Sequence, residues 1–159
     1  MRNDKDMNMQ TSENGLELIK QFEGFSGVPY YCPAWKLTIG YGHVILSGEN
    51  FPKAGISKIE ATNLLKQDVS MAEKAINRLV KIPLLQNQFD ALVSFAYNIG
   101  AQRFENSTLL RFLNDNRMEL VAKEFSRWVF AGGIMQKGLV KRRKAEKKLF
   151  ISSCDGSIK

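Results

Sequence analysis

Gly27-Val28-Pro29-Tyr30-Tyr31-Cys32-Pro33-Ala34-Trp35-Lys36-Leu37-Thr38-Ile39-Gly40-Tyr41-Gly42-His43-Val44 breaks the helical pattern of the rest of the chain. Pro29, Pro33, Gly40 and Gly42 punctuate a run rich in Tyr, Trp, Thr and Ile. That pattern predicts a small antiparallel sheet with tight turns, Cys32 to Trp35 being the turn between two strands. On its N-terminal side, Ser12 is placed to cap a helix of about eleven residues. Leu16, Ile19 and Phe22, with Leu18, recur there at helical spacing. Gly24 suits the C-terminal cap, which puts Glu23 in the last turn.

On the C-terminal side, Ser47 to Gly55 reads as a loop, and Ser57-Lys58-Ile59-Glu60 as a capping box. The helix it opens runs through Ala61, Leu64, Leu65 and Val69. It, or a successor, continues through Ala72, Ala75, Ile76 and Leu79 to a break at Ile82-Pro83. Leu85 to Ile99 is apolar on nearly every face, as the central helix of a bundle would be, and Gly100 ends it. Asn106-Ser107 caps a short helix carrying Leu109, Leu110 and Leu113. Leu120 to Phe130 predicts another, with Trp128 near its end; Gly132-Gly133 is a turn, and Leu139 to Phe150 a basic final helix. The expected architecture is α+β: a small N-terminal antiparallel lobe over about 25–50 beside a larger helical lobe over about 56–150. The groove between such lobes is the natural place for an extended ligand. Residues 1–11 read as a disordered leader and 151–159 as a flexible tail, leaving 12–150 as a single domain.

The 159 residues are 44% hydrophobic and 25% charged, ordinary globular usage. A chain of this length buries roughly 70% of its unfolded surface, so it needs no disulfide or metal to fold. Cys32 and Cys154 make no disulfide framework and read as unpaired and reduced. No apolar run reaches the ~18 residues of a membrane span. The first ten residues lack a signal-peptide core, which places synthesis in the cytoplasm. The net charge of +7, from 23 basic and 16 acidic residues, favours anionic partners without choosing among them.

Eight residues separate Glu23 from Cys32, and five separate Cys32 from Thr38. A carboxylic acid, a second basic or nucleophilic group and a hydroxyl are what glycosidic-bond cleavage requires. Glu23 is the acid candidate. A helix C-terminus and partial burial against Phe22 and Phe25 would both raise its pKa. Cys32 could act as a base toward water, with inversion, or attack the anomeric carbon, with retention. Thr38 could orient the water. Taken singly, each has a structural account: a solvated helix-end acid, an inert turn thiol, a β-branched strand residue. His43, the lone histidine, reads as structural or as a tuner of Glu23. No partner sits at metal-ligand spacing, so neither metal nor cofactor is expected. The run Lys137, Lys141, Arg142, Arg143, Lys144, Lys147, Lys148 reads mostly as a solvated basic face, with Arg142 or Arg143 a candidate partner of Glu23.

Four separated motifs resemble the phage lysozyme (endolysin) family of muramidases, glycoside hydrolase family 24. They are Asn14-Gly15-Leu16 through Glu23-Gly24, Thr38 through His43, Gln88 through Gly100, and Phe125-Ser126-Arg127-Trp128 with Gly132-Gly133 and Gly138 through Arg143. The resemblance spans about residues 12 to 150 and implies a lysozyme-like fold. It also implies hydrolysis of the β-1,4 bond between N-acetylmuramic acid and N-acetylglucosamine in peptidoglycan. The family's acid falls on Glu23, its threonine on Thr38, and its second group, aspartate in many members and cysteine in others, on Cys32. Saccharide-contacting positions fall on Val44, Tyr97, Asn98 and Ser107, and the arginine near the acid on Arg142, with Arg143 the neighbouring choice. The resemblance further implies a monomer that reaches the wall through a membrane hole made by a separate holin. Electrostatic contact of the final helix with anionic outer-membrane lipid is a further expectation; a specific nucleic-acid partner is not, since no recognisable module accompanies the basic residues. Two alternatives stand beside it: a lytic transglycosylase using Glu23 alone, and a non-catalytic cell-wall binder.

Overall fold

The computed structural model describes residues 8–152; the first seven residues of the expected leader, and Cys154 with the tail beyond Ser152, lie outside them. The chain divides into two compact units, Ile19–Ser70 and Met1–Leu18 with Met71–Lys159. The first helix, α1 (Glu13–Glu23), crosses that division. Ser12 caps it as expected: its carbonyl accepts from Leu16 N and its hydroxyl from Gly15 N. Gly24 closes it with φ 71°, its N–H donating to Lys20 O.

In the Ile19–Ser70 unit, β1 (Ser26–Tyr31), β2 (Leu37–Gly40) and β3 (His43–Val44) form an antiparallel sheet in that order. Tyr30 lies opposite Thr38, Tyr31 opposite Leu37, Thr38 opposite Val44, and Ile39 opposite His43. Alternation along a strand then puts Tyr30, Thr38 and Val44 on one face and Tyr31 and Leu37 on the other. The helix α2 (Lys58–Asp68) opens on the expected capping box and buries Ala61 and Leu65. It lies so close to the sheet that a Cβ on Gly40 would stand 3.1 Å from Ala61 Cβ.

The second unit is helical: α3 (Ser70–Leu79), α4 (Gln86–Ile99), α5 (Ala101–Glu105), α6 (Thr108–Asn114), α7 (Met118–Phe125) and α8 (Lys137–Ile151). The α4 helix is its centre, with Phe89, Leu92, Val93 and Phe95 fully buried. Phe104, Phe125 and Trp128 meet the Phe95 ring edge-on at 6.4, 5.3 and 5.5 Å, a favourable quadrupole arrangement. Ser107 caps α6, accepting from Leu110 N at 3.1 Å.

Two expectations are corrected. The helix expected over Leu120 to Phe130 ends at Phe125. Its last turn tightens, Arg127 N donating to Glu124 O and Trp128 N to Phe125 O, and the chain then enters a hairpin. There β4 (Phe130–Ala131) pairs with β5 (Ile134–Met135) across Gly132-Gly133. The second correction concerns the end of the leader, which is tied down. Met9 N donates to Asn77 Oδ1, Thr11 N and hydroxyl to Glu73 Oε1, and Ser12 N to Asp90 Oδ1. Asn77 and Glu73 lie on α3, so backbone that the polar sequence marked as solvated has specific side-chain partners. Among the described residues no helix is long and apolar enough to cross a membrane.

Candidate active site

The sheet unit carries Glu23, Cys32 and Thr38. Glu23 ends α1, half-buried, and its carboxylate lies over Gly42: a Cβ there would come within 2.9 Å of Glu23 Oε2. Gly42 has φ 83°, a left-handed conformation that also favours glycine. The Gly40-Tyr41-Gly42 turn therefore provides room for the acid.

Cys32 opens the turn between β1 and β2. Its N–H donates to Lys36 O at 3.0 Å and its carbonyl accepts from Trp35 N at 2.8 Å. The thiol is free and half-buried. The backbone N–H of Lys36, above all, holds it below its ordinary pKa, against a smaller desolvation effect; the Ala34 N–H and the Thr38 hydroxyl act in the same direction. Thr38 is buried and its hydroxyl also reaches Lys36 O at 2.9 Å. One hydroxyl thus lies within reach of the thiol and of the turn that stabilises the thiolate. Val44 pairs with Thr38 from the edge strand and is 37% exposed.

His43 does not need Glu23 to explain it. Its Nδ1 lies 3.0 and 2.9 Å from the two Asp68 oxygens, and its Nε2 lies 3.0 Å from Glu49 Oε2. A neutral imidazole has one N–H and could donate to only one of these carboxylates, so the arrangement favours the imidazolium. Burial opposes that charge, but the bonds to Glu49 and Asp68 and their charges outweigh it and raise the His43 pKa. Asp68 is itself pushed up by burial, against the pull of His43. With both oxygens facing a ring nitrogen, the histidine's direction is the one that governs the pair. Glu49, held by Leu46 N and by His43, is moved down. Neither carboxylate was signalled in the sequence, lying 6 and 25 residues from His43.

The remaining expected residues lie in the helical unit. Tyr97 is half-buried and Asn98 exposed, both in the last turn of α4. Arg143 Nη2 donates to Asn98 Oδ1. Because a guanidinium only donates, this contact fixes the amide flip and points the Asn98 NH2 away from Arg143. Ser107 is buried, and its hydroxyl donates to Phe104 O at 2.7 Å while capping α6. Arg142 and Arg143 are not on a solvated face: they are 4% and 2% exposed. Arg142 Nε donates to Glu146 Oε1 at 3.1 Å and Nη2 to Ser94 O at 3.2 Å. Arg143 Nη1 donates to Glu146 Oε2 at 2.7 Å and Nε to Trp128 O at 3.0 Å. Glu146, fully buried, was missed by the sequence reading; its i+3 and i+4 spacing from the two arginines was the available signal. Lys137, Lys141, Lys144 and Lys148 are exposed as expected. Among the described residues no group of three or more His, Cys, Asp or Glu could hold a metal ion.

A small antiparallel sheet unit bearing an acid, a thiol and a threonine, with a helical unit built on one buried helix, is a lysozyme-like α+β fold. The variant P22 lysozyme crystal structure shares it, with a TM-score of 0.83 and 38% identity over 91% of this chain and 99% of that one. The muramidase domain of SpmX from Asticaccaulis excentricus does too, with a TM-score of 0.81 and 37% identity over 91% and 99%. The phage lysozyme family model matches residues 20–146, and the chain belongs to that family. Among curated relatives, the endolysin of Bacillus phage PZA is 44% identical over 152 residues, 94% of this chain. The chain spans 58% of that protein and 55% of the endolysin of Bacillus phage B103.

Proposed function

We propose that the chain is a phage or prophage endolysin, a muramidase that hydrolyses the β-1,4 bond between N-acetylmuramic acid and N-acetylglucosamine in peptidoglycan. Glu23 protonates the leaving oxygen. Cys32, in the place where many members of the family have aspartate, and Thr38 handle the water or the anomeric carbon. The observation that carries this reading is the paired placement on one small sheet unit: a carboxylate seated over Gly42, and a thiol of lowered pKa in reach of the Thr38 hydroxyl. A lowered thiol pKa serves either role of Cys32, as base or as nucleophile. Val44, paired with Thr38, is the saccharide-contacting position of the sheet unit, and Tyr97 and Asn98 are those of the helical unit. The outward NH2 of Asn98 is a donor for an acetamido carbonyl. Ser107 contributes less, because its hydroxyl is engaged in the α6 cap, and Arg142 acts from the buried network on α8. The protein works as a monomer in host-cell lysis, made in the bacterial cytoplasm and reaching the wall after holin opening. The exposed lysines of α8 favour contact with anionic outer-membrane lipid.

Mass spectrometry of soluble fragments released from purified peptidoglycan tests this, with Glu23→Gln as control. The expected products carry reducing N-acetylmuramic acid and are absent from the control. Anhydro ends would assign the chain to the transglycosylases, and no fragments would leave a wall binder.

A further inference from the structure

Trp35 occupies a position that glycine would fill more easily. The turn closed by Trp35 N to Cys32 O and by Cys32 N to Lys36 O requires a left-handed residue before β2, and Trp35 takes φ 59° there. A bulky side chain in that region is an outlier that needs a reason. Burial does not provide one, because Trp35 is 82% exposed. Its ring meets Tyr31 at 6.3 Å and 47°, and Tyr31 is itself 65% exposed. Leu37, cross-strand from Tyr31, extends the apolar surface. The register puts Tyr31 and Leu37 on the face opposite Thr38 and Val44, so this surface is separate from the one expected to meet the scissile bond.

The hairpin itself puts no charge on this face. Between Glu23 and His43 the only Lys, Arg, Asp or Glu is Lys36, which is exposed and, two residues before Thr38, alternates onto the Thr38 face. Two tilted aromatic rings offer flat apolar faces with an O–H and an N–H at their tips, a chemistry suited to the C–H faces and hydroxyls of a sugar ring. An anionic bilayer surface would be met better by several cations than by an uncharged hairpin face, since each basic residue near such lipid contributes about 1 kcal/mol.

We propose that Tyr31 and Trp35 form an exosite for insoluble peptidoglycan, holding a glycan strand on the face of the hairpin opposite Thr38. The exosite rests on the muramidase reading for its ligand. Rigid aromatic side chains provide contact area at small entropic cost, which is why they anchor polymeric ligands well.

The test is co-sedimentation with purified insoluble peptidoglycan, in the Glu23→Gln background so that the ligand stays intact. Trp35→Gly is the informative substitution: glycine suits the left-handed turn, so its melting temperature should equal or exceed the parent's. Its dissociation constant should rise roughly tenfold, the loss of about 1.4 kcal/mol of contact. Tyr31→Ala should weaken binding in the same direction, and Trp35→Phe should restore most of it. Unchanged peptidoglycan binding by Trp35→Gly, while the parent still releases muramic-acid fragments, overturns the exosite alone. Loss of binding to phosphatidylglycerol vesicles with peptidoglycan binding intact overturns it in favour of lipid. If the parent neither sediments with the polymer nor cleaves it, the exosite falls together with the muramidase reading.

Discussion

Glu146→Gln tests the most consequential interaction in the helical unit. The Glu146 carboxylate has no exposure and accepts from Arg142 Nε, Arg143 Nη1 and the Ser94 hydroxyl, at 3.1, 2.7 and 2.8 Å. Burial presses the Arg143 guanidinium below its usual pKa range, and Glu146 offsets that. Glutamine keeps the shape but removes the charge, and turns an amide NH2 toward donors. Two guanidinium groups at 4% and 2% exposure are then left without their shared counter-ion. Removing one partner of a buried pair costs about 3–5 kcal/mol. Out of a total of about 5–15 kcal/mol, that is a large fraction of the stability. At about 2–4 °C per kcal/mol for a chain of this size, the melting temperature should fall by roughly 6–20 °C. Thermal and urea denaturation followed by circular dichroism measure both quantities. Glu105→Gln is the contrast: its partner Arg78 lies 3.5 Å away and the side chains are 46% and 63% exposed, so the change should be under about 1 kcal/mol. A Glu146→Gln loss no larger than that of Glu105→Gln would refute the reasoning.

His43 is raised above its unfolded pKa, so its contribution is fully present below about 6.5 and is lost as pH climbs through the folded value. The melting temperature of the parent relative to His43→Gln should therefore fall as pH rises above about 6.5; a constant difference would show that the imidazolium is not what the two carboxylates hold. For Cys32, alkylation by iodoacetamide should reach half its maximal rate below the ~8.5 of a free thiol, and Thr38→Val should move that midpoint upward. Cys32→Ser should lose most wall-lytic activity and Cys32→Asp keep some; parent-like turnover by Cys32→Ser would make the thiol a bystander.

Local signals read well where one residue type has one local task. Ser12, the Ser57–Glu60 capping box, Gly24 and Gly100 mark helix ends by chemistry that acts within a turn. The Leu85 to Ile99 run disclosed the central helix because its apolar residues leave no polar face. The β4–β5 hairpin gave no such signal: each strand has two residues, all exposed, too few to show alternation. The arginines of α8 stood out from the solvated run only as candidate partners of Glu23, because a run of seven cations does not disclose Glu146 as a buried partner. Their burial depends on Glu146, and on Ser94 from a helix some fifty residues earlier. The carboxylates at His43 were hidden for the same reason. Glu23, Cys32 and Thr38 stand out as candidates through spacing and resemblance, but the turn geometry that lowers the thiol pKa depends on a conformation of Trp35 that no propensity suggests.

The ribosome delivers Met9 to Ser12 well before their partners. Thr11 waits for Glu73 and Ser12 for Asp90, which follow 62 and 78 residues later. At about 5–20 residues per second, that is an interval of roughly 3–16 s. Ile19–Ser70, by contrast, is one uninterrupted stretch of chain. A nascent chain therefore completes the unit that bears the acid and the thiol first, while Met9 to Ser12 still lack the side chains that tie them down. Closing loops of that length adds little to the entropic cost, so the delay is one of order of assembly rather than of final stability.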